Sequence, residues 1–137
     1  MEIEVDDGAK GESMKPETMM IDDVKDVRAD VSQPAEKLEG MERCIIRSYG
    51  AGVFLGYVKE KKAELNGVNI MLCQAKRIHY WDGACSLTQL AMEGTKEADN
   101  CRITDGVAEQ FIANVIEIIP VTDKAGKNLD EVEIWKK

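Results

Sequence analysis

Aromatic residues are scarce in this 137-residue chain: two Phe, three Tyr and two Trp, none of them before residue 49. Residues 1–40 also carry 12 acidic against 5 basic side chains, a net of −7, whereas residues 41–137 carry 14 against 13, a net of −1. A segment with no aromatic anchor and excess negative charge cannot bury enough apolar surface to offset the entropy of ordering. Residues 1–40 are therefore expected to be an acidic, flexible arm, and residues 41–137 a globular domain with a modest core. The acidity opposes non-specific attraction to nucleic acid and to anionic membranes.

Other absences narrow the function classes. No run of about 18 apolar residues exists, so no membrane-spanning helix is expected. The start, Met-Glu-Ile-Glu-Val-Asp-Asp, is acidic and lacks the apolar stretch of a secretory signal. The four cysteines, Cys44, Cys73, Cys85 and Cys101, include no C-x-x-C pair. A zinc site would have to combine them with His79 without any ligand knuckle. Reduced, structural thiols are the expectation, with no metal and no cofactor. His79 is the only histidine, so any histidine-dependent mechanism must use it. No G-x-S-x-G elbow is present. Cys73, Cys85 and Ser86 are available nucleophiles, but nothing marks an orienting base for them. No catalytic residue is assigned, and the chain is not expected to be an enzyme.

The patterning after residue 40 favours strands. Arg43–Tyr49 and Val53–Val58 flank the turn Gly50-Ala51-Gly52 and read as a hairpin. Gly50, Gly52 and Gly56 imitate a nucleotide fingerprint, but β-pattern sequence follows where that motif needs a helix. Lys59–Lys62 reads as a charged, solvated connection. Asn66-Gly67 suits the positive φ of a tight hairpin turn, and Val68, Ile70 and Leu72 then alternate on one face. That strand is expected to continue, bent or interrupted, to Trp81. Ser86 with Gln89 forms a capping box for a short helix ended by Gly94. Thr95–Gly106 reads as loop. Phe111–Ile119 reads as a central strand stopped by Pro120, Thr122–Leu129 as a second short helix, and Glu131–Trp135 as a closing strand. The fold class is therefore α+β: mostly antiparallel β-sheet, or a small β-barrel-like domain, with one or two short helices. In the arm, Met20, Val24, Val27 and Val31 share one helical face, with Thr18 as a cap and Pro34 as a stop. Asp22, Asp26 and Asp30 would repel along such a helix, so the segment is either unstructured or folds on a partner.

The most distinctive stretch is Lys76-Arg77-Ile78-His79-Tyr80-Trp81-Asp82-Gly83. In a strand, Arg77, His79 and Trp81 share one face, and Lys76, Ile78 and Tyr80 the other. Lys76, Arg77, His79, Tyr80 and Trp81 form the candidate ligand-binding set, since a guanidinium can pair with phosphate and an aromatic can stack on a base. The competing reading is a half-buried strand whose Arg and aromatics pack on one another. Ser86 caps a helix whose N-terminus could also take an anion. Glu117, inside an apolar strand, needs solvent or a basic partner such as Arg77.

Tyr80-Trp81-Asp82-Gly83-Ala84, continued by Ser86-Leu87, Gln89-Leu90-Ala91 and Gly94, resembles a family of small phage- and prophage-encoded proteins known only as a domain of unknown function. Ile46-Arg47-Ser48-Tyr49, Ala51-Gly52-Val53 and Ile116-Glu117-Ile118-Ile119-Pro120 extend the resemblance over about residues 43–135. Members of that family carry an aromatic where this chain has His79, and start near Met41. The resemblance implies a phage context and supplies no catalytic residue. Taken together, the expectation is a phage-encoded, non-enzymatic binding or interaction module in the cytoplasm of a bacterial host. Its partner would be a protein or a second copy of itself, with no membrane involved. The alternative is a protein that binds a nucleotide or short nucleic acid, for example to sequester a host defence signal.

Overall fold

The computed structural model describes residues 33–65 and 67–137. Five antiparallel strands dominate: β1 (Arg43–Ser48), β2 (Gly52–Glu64), β3 (Gly67–Tyr80), β4 (Arg102–Ile103) and β5 (Val107–Pro120). Two short helices join them, α1 (Leu87–Glu93) and α2 (Asp123–Asp130). Strand order is β2-β1-β5-β3-β4, and β2 also pairs with β3. The strands β2, β1, β5 and β3 therefore close into a ring in which each has a neighbour on both sides, and β4 extends β3 at one end. This is the β-rich α+β domain expected from the patterning, in its barrel-like form.

Closure follows from long, bent strands. Glycine and left-handed residues provide the bends. Gln74 and Asn114 adopt φ of 51° and 55°. Around Gln74 the β2–β3 register slips, between Leu55↔Lys76 and Tyr57↔Cys73. Gly56 lies in that gap: a Cβ there would sit 3.1 Å from the Cys73 carbonyl oxygen and 3.3 Å from the Ala75 Cα. The bulge supplies the extra residue and Gly56 the space, so β3 bends without breaking.

Two clusters make the core. Cys44, Ile46, Phe54, Ile70, Leu72, Ala75, Ile112 and Val115, drawn from all four ring strands, fill the ring. Ile45, Leu55, Ile78, Leu90, Ala91, Cys101, Ile103, Val121, Ala125, Leu129 and Val132 pack the outside of the ring against the helices. Cys44-Ile45-Ile46 is buried on both faces, which is why it is continuously apolar rather than alternating. Arg43, 8% exposed, clasps α2 to this layer through paired bonds of 2.8 and 2.6 Å to the Asp130 carboxylate, which also takes Lys76 Nζ at 3.1 Å. The Arg43 hydrogen bond, opposed by partial burial, holds the Asp130 carboxyl below its ordinary range.

Several expectations need correction. Lys59–Lys62 is no connection: β2 runs on to Glu64 and pairs with β3 down to Glu64↔Gly67. Ladder bonds to a long partner hold these residues in a strand although their side chains stay in water. Gly67 is the first residue of β3 and not the centre of the turn. Thr95–Gly106 contains β4, and buries Thr95, Cys101 and Ile103. Glu131–Trp135 forms no full strand; a single parallel bridge joins Ile134 to Ile103. The end of α2 explains this, because the amides of Glu131 and Val132 turn back to Asn128 and Leu129. Residues 34–40, counted with the arm by composition, run against the domain through Ala35 N to the Val121 carbonyl at 2.9 Å. The helical face of Met20, Val24, Val27 and Val31, and Asn66 of the turn, lie outside the described residues.

Candidate functional site

The end of β3 and the loop that follows it build one cleft. Asp82 organises it. One carboxylate oxygen accepts from Gly83 N at 2.8 Å, and the other from Asn100 Nδ2 at 2.6 Å. The Asp82 carbonyl accepts from the buried Thr95 hydroxyl, which in turn accepts from Glu97 N at 2.9 Å. Gly83, at φ 83°, lies so close to Thr95 Oγ1 and to the amides of Lys96 and Glu97 that no Cβ fits. The Tyr-Trp-Asp-Gly stretch thus ties the end of β3 to residues 95–100, and β4 follows directly. Asn128 secures the same loop, accepting from Thr95 N at 2.8 Å and donating to the Thr95 carbonyl at 3.0 Å.

This anchoring places Tyr80 directly opposite Arg102 across the β3–β4 pair. Trp135 closes the other side, held by its amide to the Ile103 carbonyl at 3.0 Å. Its ring stacks on His79, with centroids 4.9 Å apart and planes within 10°, and the Arg102 guanidinium lies 5.5 Å from its centroid. Tyr80, Asp99, Asn100, Cys101, Arg102 and Trp135 line a cleft of about 400 Å³. Tyr80 is 48% exposed. Among the described residues, Arg102 and Asp99 have no ion-pair partner.

The five candidate residues from the sequence are thereby divided. Only Tyr80 lines this cleft, with His79 behind Trp135. Lys76 is held by Asp130. Arg77 lies 4.5 Å from the Phe54 ring centroid and donates to the Ala51 carbonyl at 2.5 Å, so it closes the β1–β2 turn. Trp81 is half-buried against the helix-side core, beside a depression shared with Arg47, Ser86 and Glu117. Ser86 is the N-cap of α1, accepting from Gln89 N at 3.2 Å, as its capping box predicts. Glu117 pairs with Arg47 at 3.2 Å rather than with Arg77. Sequence reasoning missed Asp99, Asn100, Arg102 and Trp135. The signal was Asp82: an Asp-Gly pair after a strand commits its carboxylate to a nearby donor, and Asn100 is one.

The outer surface of the ring carries a second feature. On β5, Val107 and Phe111 are 47% and 59% exposed and fall on the same side by the two-residue period of a strand. Met71 stands opposite Phe111, and Cys73 opposite Glu109. Glu109, between the two apolar residues, binds Lys59 at 2.6 Å.

All four thiols are free. Burial pushes the Cys44 thiol up to about 11. The Cys101 thiol lies 3.4 Å from the Glu97 carbonyl and 3.5 Å from Thr95 Oγ1, packed under the cleft. Among the described residues no three His, Cys, Asp or Glu side chains are grouped to hold a metal, and no helix is long and apolar enough to cross a membrane.

A family known as a domain of unknown function, DUF6948, matches residues 41–129. The chain belongs to that family. The matched span holds the four ring strands, β4, α1 and most of α2, so the closed ring is the DUF6948 domain of this chain. Trp135, which closes the cleft, lies beyond it. No curated protein and no solved structure matches the chain.

Proposed function

We propose that the chain is a phage-encoded, non-enzymatic interaction module that acts in the cytoplasm of the bacterial host and pairs with a second copy of itself. The phage and host setting is supported by the resemblance of the Tyr-Trp-Asp-Gly-Ala stretch and its flanks to phage-encoded proteins. The pairing is supported by one observation: the outer face of β3 and β5, where exposed Phe111 and Val107 adjoin Met71.

On these two strands the face's carboxylate, Glu109, is paired with Lys59, and Glu60 of β2 stands opposite Met71 at its border. Residues 41–137 carry a net of only −1, so the ring domains of two copies meet without strong repulsion. A two-fold contact would set each Phe111 against the partner's copy of the same patch. The test is the mass of the full chain in solution, with Phe111→Glu alongside. A dimer that dissociates in the variant supports the reading; a wild-type monomer at every concentration contradicts it.

A further inference from the structure

We infer that the cleft between Tyr80, Arg102 and Trp135 is a binding site for a mononucleotide whose base carries an exocyclic amino group. The inference stands apart from self-pairing, which concerns the outer face of β3 and β5.

Size and chemistry agree on this class of ligand. A cavity of about 400 Å³ falls at the small end of ligand pockets, which run from about 300 to 1,000 Å³. Tyr80 offers a half-exposed ring on which a planar base can stack. Arg102, directly across the strand pair from Tyr80 and without an ion-pair partner among the described residues, offers a guanidinium for one phosphate. Asp99, on the same wall, is acceptor-only when ionised. A carboxylate there repels a second phosphate and accepts from an amino group on a base. Asn100 is fixed by Asp82, so the wall is preorganised.

The charge distribution separates a single nucleotide from a strand. The cleft contains one cation and one carboxylate, and the whole chain carries −8. A strand would bring several phosphates to a surface with one guanidinium to meet them, and its binding draws mainly on such contacts. A mononucleotide needs only one.

The test is calorimetric titration of the full chain with GMP, UMP, guanosine, inorganic phosphate and a short guanine oligonucleotide, on wild type and on Tyr80→Ala, Arg102→Ala and Asp99→Ala. The three residues are exposed, and the melting temperature of each variant checks its fold. GMP is expected to bind the wild type. Arg102→Ala should weaken GMP by about tenfold or more while leaving guanosine unchanged. Tyr80→Ala should weaken both by about tenfold. Asp99→Ala should remove the preference for GMP over UMP. No binding of GMP at millimolar concentration overturns the inference. So does equal binding to Arg102→Ala, or an oligonucleotide that binds more tightly than GMP with a steep salt dependence.

Discussion

Tyr80 and Arg102 face each other across the short β3–β4 pair, and Asp82 ties the end of the first strand to the loop that leads into the second. β4 is two residues long; it pairs with β3 and meets the C-terminal segment through the single Ile103–Ile134 bridge. So short a ladder contributes few bonds of its own. What holds it is the loop before it, tied to the Asp82 carboxylate and carbonyl, and the C-terminal segment after α2, which bonds to Ile103. Three segments distant in sequence meet at this cleft, and only one of them shows it in its composition.

Replacing Asp82 tests that arrangement. Asp82→Ala removes the acceptors of Gly83 N and Asn100 Nδ2. Each such bond contributes about 1 kcal/mol net, somewhat more to a charged acceptor. The variant should lose about 2 kcal/mol in denaturant unfolding, with increased protease cutting between residues 95 and 101. Unchanged stability and unchanged cutting would mean that Asp82 does not organise the loop.

Acid stability should follow the clasp between β1 and α2. The carboxyl of Asp130 is held below its ordinary value of 3.8, mainly by hydrogen bonding to Arg43. A carboxyl with a depressed folded-state value contributes stability that is complete above its unfolded value and is lost as pH falls through the folded one. The contribution should therefore be constant at neutral pH and decline below about pH 4. Asp130→Asn should flatten that part of the profile and cost about 2 kcal/mol at pH 7. This is less than the ~3–5 kcal/mol for breaking a fully buried pair, because Asp130 is 44% exposed. An acid limb as steep in Asp130→Asn as in the wild type would refute the assignment.

Thiol labelling should rank the cysteines by environment. Cys85 is exposed and should react first in the folded protein at pH 8. Cys44, buried in the ring with its thiol pushed up to about 11, should react only on unfolding. Labelling followed by peptide mapping gives the order. Early modification of Cys44 in the native protein would show that the ring opens readily.

The elements with strong local signals were legible before the structure. The capping box at Ser86 and Gln89, the stop at Gly94 and the β-branched run ending at Pro120 all rest on neighbouring residues, and all are present. The bend in β3 was expected as well; its cause, a left-handed Gln74 opposite Gly56, is set by tertiary packing. Ring closure is equally non-local, since nothing in β1 indicates that its second neighbour is β5, far along the chain. The site was legible in part. Lys76 and Arg77 have the chemistry of a binding strand, yet Asp130 and Phe54 engage them, and both partners lie far away in the chain. Arg102 sits in a polar stretch that resembles loop, and Trp135 in a tail that resembles a strand. Their meeting at Tyr80 depends on the Asp82 anchor.

If the outer face of β3 and β5 joins two copies of this chain, native mass spectrometry of the 137-residue chain detects the pair. The expected species has twice the 15.2 kDa chain mass, persists on dilution into the micromolar range and falls to a single chain in Phe111→Glu. Phe111 is 59% exposed, so the substitution should leave the melting temperature of the monomer nearly unchanged. A single-chain wild type, or a dimer that Phe111→Glu leaves intact, would show that this face does not join two copies.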